Sequence, residues 1–210
     1  PESRRFATVL VGGGPAGYVG AIRAAQLGLK AACIERDKLG GICNNWGCIP
    51  TKALLAGAEL YSRLKNEADQ WGIKVDGLSH DWKQVIKRSR GIADLGDKGV
   101  GALFKKNKVT HIQGHAKITK SGKDACEIDV SAPDGGKVQQ QIKCKHVVIA
   151  TGARPRSLPG ADFDGDRIIG YKEAMSLPEQ PKELLVVGAG AIGMEFAYFY
   201  NAFGTKVTVI

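Results

Sequence analysis

Cys43 and Cys48 stand with four residues between them in Gly40-Gly41-Ile42-Cys43-Asn44-Asn45-Trp46-Gly47-Cys48-Ile49-Pro50-Thr51-Lys52, downstream of a glycine-rich turn at Gly12–Gly17. Two thiols so placed could cycle as a disulfide beside the reactive ring of a nucleotide-type cofactor held by the turn. The same residues could instead be half of a zinc site or a structural disulfide. No second pair of cysteines or histidines at zinc-ligand spacing accompanies them, so redox chemistry leads and no metal is expected. The other three of the five cysteines read as structural. Cys33 lies inside an apolar strand, and Cys126 and Cys144 fall in strand-like runs.

An internal repeat supplies the elements that must position these groups. Ala7–Val11 is a short apolar β-rich run followed by Gly12-Gly13-Gly14-Pro15-Ala16-Gly17. A helical pattern then runs to Leu27, stops at Gly28 and leads to a strand, Ala31–Ile34, ending at Glu35. Leu184–Val187 repeats the strand and Gly188-Ala189-Gly190-Ala191-Ile192-Gly193 repeats the turn. A second helix runs to Phe203, stops at Gly204 and leads to Lys206–Ile210. Sixteen residues separate Gly12 from Gly28, and sixteen separate Gly188 from Gly204.

Each copy is a strand–turn–helix unit of the dinucleotide-binding kind, in which each glycine has a task. Gly12 and Gly188 allow the tight turn. Gly14 and Gly190 let backbone approach a pyrophosphate at the helix N-terminus, and Gly17 and Gly193 let helix and strand pack closely. Glu35, 23 residues after Gly12, ends the second strand where a carboxylate can accept ribose hydroxyls; otherwise it is an ordinary surface glutamate. The expected fold is α/β, with two Rossmann-like dinucleotide-binding (FAD/NAD(P)) units, the second truncated. The first domain is set at 1–167 and the start of the second at 168–210.

Between the repeats, Lys52–Asn66 reads as a helix continuing from the second cysteine, and Trp82–Asn107 as a helix pair or one long helix. Val109–Ile118 and Cys126–Val130 read as strands. Asp134-Gly135-Gly136 reads as a hairpin turn before Val138–Ile142, and Lys145–Ile149 as a parallel core strand running into Ala150-Thr151-Gly152.

The net charge of +9 raises the question of nucleic acid. The basic residues are dispersed, however, and the densest cluster, Lys105-Lys106-Asn107-Lys108, has no aromatic stacking surface beside it, so no nucleic-acid partner is expected. There is no run long enough to span a bilayer and no secretory signal before the first strand. The expectation is no membrane partner and a cytoplasmic location, or the mitochondrial matrix in a eukaryote.

The cysteine stretch, the two glycine turns and Ala150-Thr151-Gly152 closely resemble those of the pyridine nucleotide–disulfide oxidoreductases, from about Arg5 to Ile210. Within that family, Cys48-Ile49-Pro50-Thr51-Lys52-Ala53-Leu54-Leu55 is most similar to the form found in members that oxidise dihydrolipoamide. Ala150–Arg156 and Gly188–Ala197 agree, and Ala191 stands where glutathione reductases commonly carry tyrosine. Three positions depart from the usual pattern: Ile42, Trp46 and Thr51 replace a threonine, a small aliphatic residue and a serine.

The resemblance implies FAD and NAD as cofactors. It places FAD against Gly12, Gly14, Pro15, Ala16, Gly17, Glu35, Arg36, Gly40, Gly41, Ile42, Cys43, Gly47, Cys48, Lys52, His115, Ala116, Ala150, Thr151 and Gly152. It places the nicotinamide cofactor against Gly188, Gly190, Ile192, Gly193 and Glu195. The catalytic residues it implies are Cys43 as interchange thiol, Cys48 as flavin-proximal thiolate at the start of its helix, and Lys52 pointing toward the flavin and paired with Glu195. Without the resemblance, Lys52 and Glu195 would read as plain surface charge.

The implied activity is flavin-dependent transfer of electrons from dihydrolipoamide, free or protein-bound, to NAD⁺. The implied partners are a second copy in a homodimer and components of a 2-oxo acid dehydrogenase complex. Mercuric or glutathione reductase-like activity is the alternative, as is a non-catalytic FAD-binding fragment. The interval from Gly12 to Glu35, applied to Gly188, reaches position 211, one past Ile210. The sequence is therefore expected to be the N-terminal part of a longer chain, without the dimerisation domain and its acid/base pair.

Overall fold

The computed structural model describes residues 2–210. In chain order the elements are β1 (Glu2–Val11), α1 (Pro15–Gln26), β2 (Ala31–Glu35), α2 (Gly41–Trp46), α3 (Cys48–Asn66), a 3₁₀ turn (Ala68–Trp71), α4 (Trp82–Lys106), β3 (Thr110–Gln113), β4 (His115–Lys120), β5 (Cys126–Ala132), β6 (Gly135–Ile149), α5 (Tyr171–Ala174), β7 (Glu183–Val186), α6 (Ala191–Ala202) and β8 (Lys206–Val209). They divide into two compact units. One contains the chain up to Asn45 and residues Asp94–Arg154; the other contains Trp46–Ala93 and Pro155–Ile210.

The first unit is built on a six-stranded sheet in the order β3-β2-β1-β6-β5-β4. The β3, β2, β1 and β6 strands run parallel, whereas β6, β5 and β4 form an antiparallel meander. Strand periodicity sorts its side chains. Ala32 and Ile34 of β2 join Phe6, Val9, Ile128, Val130 and Ile142 in one core, while Cys33 joins Leu10, Ala21, Val100 and Phe104 in another. Cys33 is fully buried, and burial, with the nearby Glu35 carboxylate adding to it, pushes its thiol up to about 12. It is an inert core residue.

Four local readings are refined. Strand β1 begins at Glu2, well before the apolar run, because Glu2–Arg5 pair with Gln140–Lys143 of β6. The two strands expected at Val138–Ile142 and Lys145–Ile149 are one, β6, which pairs with β5 over Gly135–Cys144 and with β1 over Gln140–Ile149. The strand expected over Val109–Ile118 is split at Gly114, whose φ of +158° breaks β3 from β4. Residues 82–106 form one helix rather than two.

In the second unit, β7 and β8 pair in parallel, with α6 running between them. Phe196, Phe199 and Tyr200 of α6 and Phe203 at its C-cap recur at helical spacing and are all buried. They pack with Leu54 and Ala58 of α3, Trp82 of α4, and Met175. The Trp82 ring lies 5.3 Å from that of Phe199 and 5.4 Å from that of Tyr200, and its Nε1 donates to the Leu177 carbonyl at 2.9 Å. The aromatic contacts and the satisfied indole make this a rigid cluster.

Candidate active site

The first glycine turn is shaped by its neighbours. Gly12 has φ +104°, and its N–H donates to Ile34 O at 2.8 Å, joining the turn to the end of β2. A Cβ on Gly12 would stand 2.2 Å from the Ala150 carbonyl oxygen, and one on Gly17 would stand 1.7 Å from Gly12 O. A Cβ on Gly41 would stand 2.5 Å from the Cα of Gly14. The segments Gly40–Gly41 and Ala150–Gly152 therefore approach the turn at backbone distance, which only glycine at these positions permits.

Helix α1 starts at Pro15 with Gly14 as N-cap, no side-chain cap and no acidic residue in its first turn. Its N-terminal amides and dipole thus carry a partial positive charge that no side chain of the helix neutralises. Pro15 and Ala16 of that turn are exposed. The Glu35 carboxylate accepts from Gly13 N at 2.6 Å and from Asp37 N at 2.9 Å, so it ties the turn to the end of β2.

A cleft of about 420 Å³ opens at the carboxyl ends of the parallel strands. Gly12, Glu35, Arg36, His115, Ala116, Thr151 and Gly152 from the sequence-derived set line it. Val11, Ile34, Gly114, Ala153 and Arg154 also line it and were not singled out. Arg154 had a legible signal, since it directly follows the Ala150–Ala153 exit from the sheet and adds a second guanidinium beside Arg36. This place outside the carboxyl ends of parallel strands is where open α/β sheets bind ligands. The uncapped helix start, the glycine turn and the two arginines fit a dinucleotide with a pyrophosphate, FAD among them.

Cys43 lies within α2 in the first unit and is partly exposed, with Ile42 exposed beside it. Two asparagines that the sequence reading passed over hold this segment. Asn45 is 2% exposed and donates from Nδ2 to Leu39 O at 2.8 Å and to Gly41 O at 3.0 Å. Asn44 lies against two glycines: a Cβ at Gly40 would be 2.5 Å from its Cβ, and one at Gly96 would be 1.8 Å from its Oδ1. Asp97 accepts from Leu39 N at 2.9 Å. A buried, fully used amide between two cysteines is a positioning device, because replacing it orphans the carbonyls it serves.

Cys48 opens α3 in the second unit and is exposed, after Gly47 as N-cap. Pro50 sits in the first turn, where its missing N–H costs nothing, and its carbonyl accepts from the buried Ser89 hydroxyl at 3.0 Å. One turn on, Lys52 Nζ is ion-paired with Glu195 Oε1. Lys52 is the more exposed partner, at 63% against 30% for Glu195. The pair ties α3 to α6.

In the second unit, Gly188 has φ +105°, Gly190 is the N-cap of α6, and a Cβ on Gly193 would stand 2.2 Å from Gly188 O. Ile192 is exposed in the first turn of α6, which again has no side-chain cap and no acid in that turn. Among the described residues, no group of three or more His, Cys, Asp or Glu could hold a metal ion. No helix there is long and apolar enough to cross a membrane.

Two glycine turns of one geometry and a helix that opens on a thiol mark an α/β protein of the dinucleotide-binding kind. It is a member of the family described as pyridine nucleotide-disulphide oxidoreductase, which matches residues 6–210. It is 47% identical to a dihydrolipoyl dehydrogenase of Rhizobium etli, across 98% of this chain and 44% of the relative. LpdA from Mycobacterium tuberculosis superposes with a TM-score of 0.86 at 30% identity, over 97% of this chain and 44% of that one. The HOCl-induced flavoprotein disulfide reductase RclA from Escherichia coli, in a copper(II) complex, superposes with a TM-score of 0.77 at 26% identity, over 98% of this chain and 42% of that one. The chain thus spans less than half the length of these relatives.

Proposed function

We propose that this chain carries the flavin- and dithiol-bearing part of a dihydrolipoyl dehydrogenase, which oxidises dihydrolipoamide with NAD⁺. The observation that carries the reading is α3: it opens on the Cys48 thiol and, one turn later, joins Lys52 to Glu195 on the helix of the second glycine turn. The 47% identity to a dihydrolipoyl dehydrogenase supports lipoamide over other disulfide substrates.

In this reading residues 1–167 are the FAD-binding domain and 168–210 the start of the NAD-binding domain. FAD is held by the Gly12–Gly17 turn, Glu35, Arg36, Gly40, Gly41, Ile42, Gly47, His115, Ala116 and Ala150–Gly152. NAD is held by Gly188, Gly190, Ile192 and Gly193. Bound there, FAD supplies two-electron transfer between the thiols and NAD⁺.

The chain's own part begins with Cys43 and Cys48 joined as a disulfide. A substrate thiolate attacks the Cys43 sulfur, forming a mixed disulfide and releasing Cys48 as thiolate. The second substrate thiol then displaces Cys43, leaving oxidised lipoamide and a reduced pair. The helix start stabilises the Cys48 thiolate, and Glu195 fixes where the Lys52 charge lies. The reading places the protein in the cytoplasm, or the matrix of a mitochondrion, as a homodimer associated with a 2-oxo acid dehydrogenase complex.

The test is spectroscopic and kinetic. The purified protein is expected to bind FAD, and Cys43→Ser is expected to show a long-wavelength charge-transfer band that Cys48→Ser lacks. A band in both variants, or in neither, overturns the thiol assignment. Absence of dihydrolipoamide-dependent NAD⁺ reduction in the full-length, flavin-loaded protein with intact thiols overturns the substrate, whereas the 210-residue chain by itself is expected not to turn over.

A further inference from the structure

A second pair of cysteines lies in the meander of the first unit. Cys126 of β5 and Cys144 of β6 are direct partners in the antiparallel register. Residues directly opposite in such a ladder point to the same face with Cβ atoms about 4.5–5.5 Å apart, next to the range a disulfide spans. Both side chains enter one core, with Ile128 and Ile142 as neighbours, and the Cys144 thiol points to the Cys126 carbonyl at 4.0 Å. Cys33 is buried too, but it lies in the other core, with its sulfur 3.6 Å from Gly12 O.

We propose that Cys126 and Cys144 form a second, latent dithiol that closes to a cross-strand disulfide under oxidative stress and staples the meander. Closure loses two S–H bonds and forms one S–S bond. Two electrons and two protons pass to a small diffusible oxidant, such as an azo compound whose N=N bond becomes a hydrazine. The two sulfurs are already on facing strands, so only side-chain rotation and a small adjustment of the ladder are needed.

Access comes from the end of the strand. Cys126 is the first residue of β5, while the β4 ladder begins one residue later at Glu127 opposite Lys120, and residues 121–124 are exposed. Burial, with the Cys126 sulfur close by adding to it, raises the Cys144 thiol to about 11. Little of the Cys144 thiol is therefore ionised at neutral pH, so it is slow to attack an oxidant. Farther along the ladder, Val130 and Ser131 pair with Ala116 and His115, which line the cleft. The staple thus stabilises the strands that carry one wall of the cleft.

The experiment uses the protein with Cys43→Ser and Cys48→Ser, so that the first dithiol cannot contribute. Native protein is treated with diamide, alkylated, digested with trypsin and analysed by mass spectrometry. The expected product is the peptide Asp124–Lys137 linked to Cys144-Lys145, lost on reduction and absent in an added Cys126→Ala variant. Fixing a loop of this size is expected to raise the unfolding midpoint of the oxidised protein by about 5–10 °C. Free Cys126 and Cys144 after treatment of the folded protein, linkage that forms only in denaturant, linkage between molecules, or a midpoint that does not rise would each overturn the proposal.

Discussion

The two glycine turns share one backbone and differ in what surrounds it. Gly12 and Gly188 have φ of +104° and +105°, and their N–H groups donate to Ile34 O and Ile210 O at the same 2.8 Å. The N-caps agree as well: Gly14 has φ −71° and ψ −174°, and Gly190 has φ −74° and ψ 174°. Around Gly12, however, the Ala150 carbonyl stands where a Cβ would go, whereas nothing among the described residues lies within 4 Å of a Cβ on Gly188 or Gly190. The turn itself requires glycine for its positive φ. The crowding at the first turn is a separate demand, made by Ala150 and Gly41.

That difference can be broken by one pair of substitutions. Gly12→Ala and Gly188→Ala impose the same backbone strain, about 1–2 kcal/mol. Among the described residues only the first also drives a methyl into a backbone oxygen, so in this 210-residue chain it is expected to cost at least about 2 kcal/mol more in denaturant unfolding. Equal costs would mean that Ala150 yields freely and that the enclosure of the first turn is soft. Gly17→Ala and Gly193→Ala serve as the matched control, because both meet the carbonyl of their own turn, at 1.7 and 2.2 Å, and both are expected to be severe.

A smaller effect sharpens the comparison at Glu35. Its carboxylate holds the amides of Gly13 and Asp37, and a glutamine has one acceptor oxygen for the two donors. Glu35→Gln is expected to cost about 1–2 kcal/mol at the first turn, seen as a roughly tenfold loss of hydrogen-exchange protection at the Gly13 amide. The amide of Ala189, at the matching place in the second turn, is expected not to change. A parallel loss at both amides would show global destabilisation rather than a local tie.

How much of this was legible in the sequence follows from the kind of signal each part carries. The repeat was visible because steric demands select glycine at Gly12, Gly17, Gly188 and Gly193, and no other residue meets them. The ion pair of Lys52 and Glu195 came from motif resemblance alone, since an exposed lysine has no local signature. The start of β1 was hidden because Glu2–Arg5 are held by ladder partners on β6 rather than by burial of apolar side chains. The single helix α4 was ambiguous because Gly91, Gly96, Gly99 and Gly101 suggest a break. Gly96 is there to admit Asn44, which no periodicity reveals. Asn45 went unnoticed for the same reason: its role depends on Leu39 and Gly41 carbonyls brought near by the fold.

The smallest expected effect is one of pH, and it belongs to the first unit alone. His111 of β3 pairs with Cys33 across β2 and has its ring edge-on to Phe104, with centroids 6.1 Å apart. His111 is exposed over part of its surface, but the side of the ring packed against the protein is desolvated, which lowers its pKa from 6.5 and outweighs the opposing pull of the Glu35 and Asp97 carboxylates. The folded state therefore binds the His111 proton less readily than the unfolded state does. As pH falls through about 6.5 the unfolded chain takes up a proton that the folded chain refuses, so this residue lowers stability on the acid side and is silent above neutrality. His111→Gln is expected to flatten the fall in stability between about pH 7.5 and 5, by the amount that an NMR titration of the wild-type imidazole gives. Glu35→Gln removes one of the two carboxylates that raise the pKa, so the same titration in that variant is expected to move further down. An imidazole that titrates above 6.5 in the wild-type protein, or moves up in Glu35→Gln, would mean that carboxylates rather than desolvation govern this position.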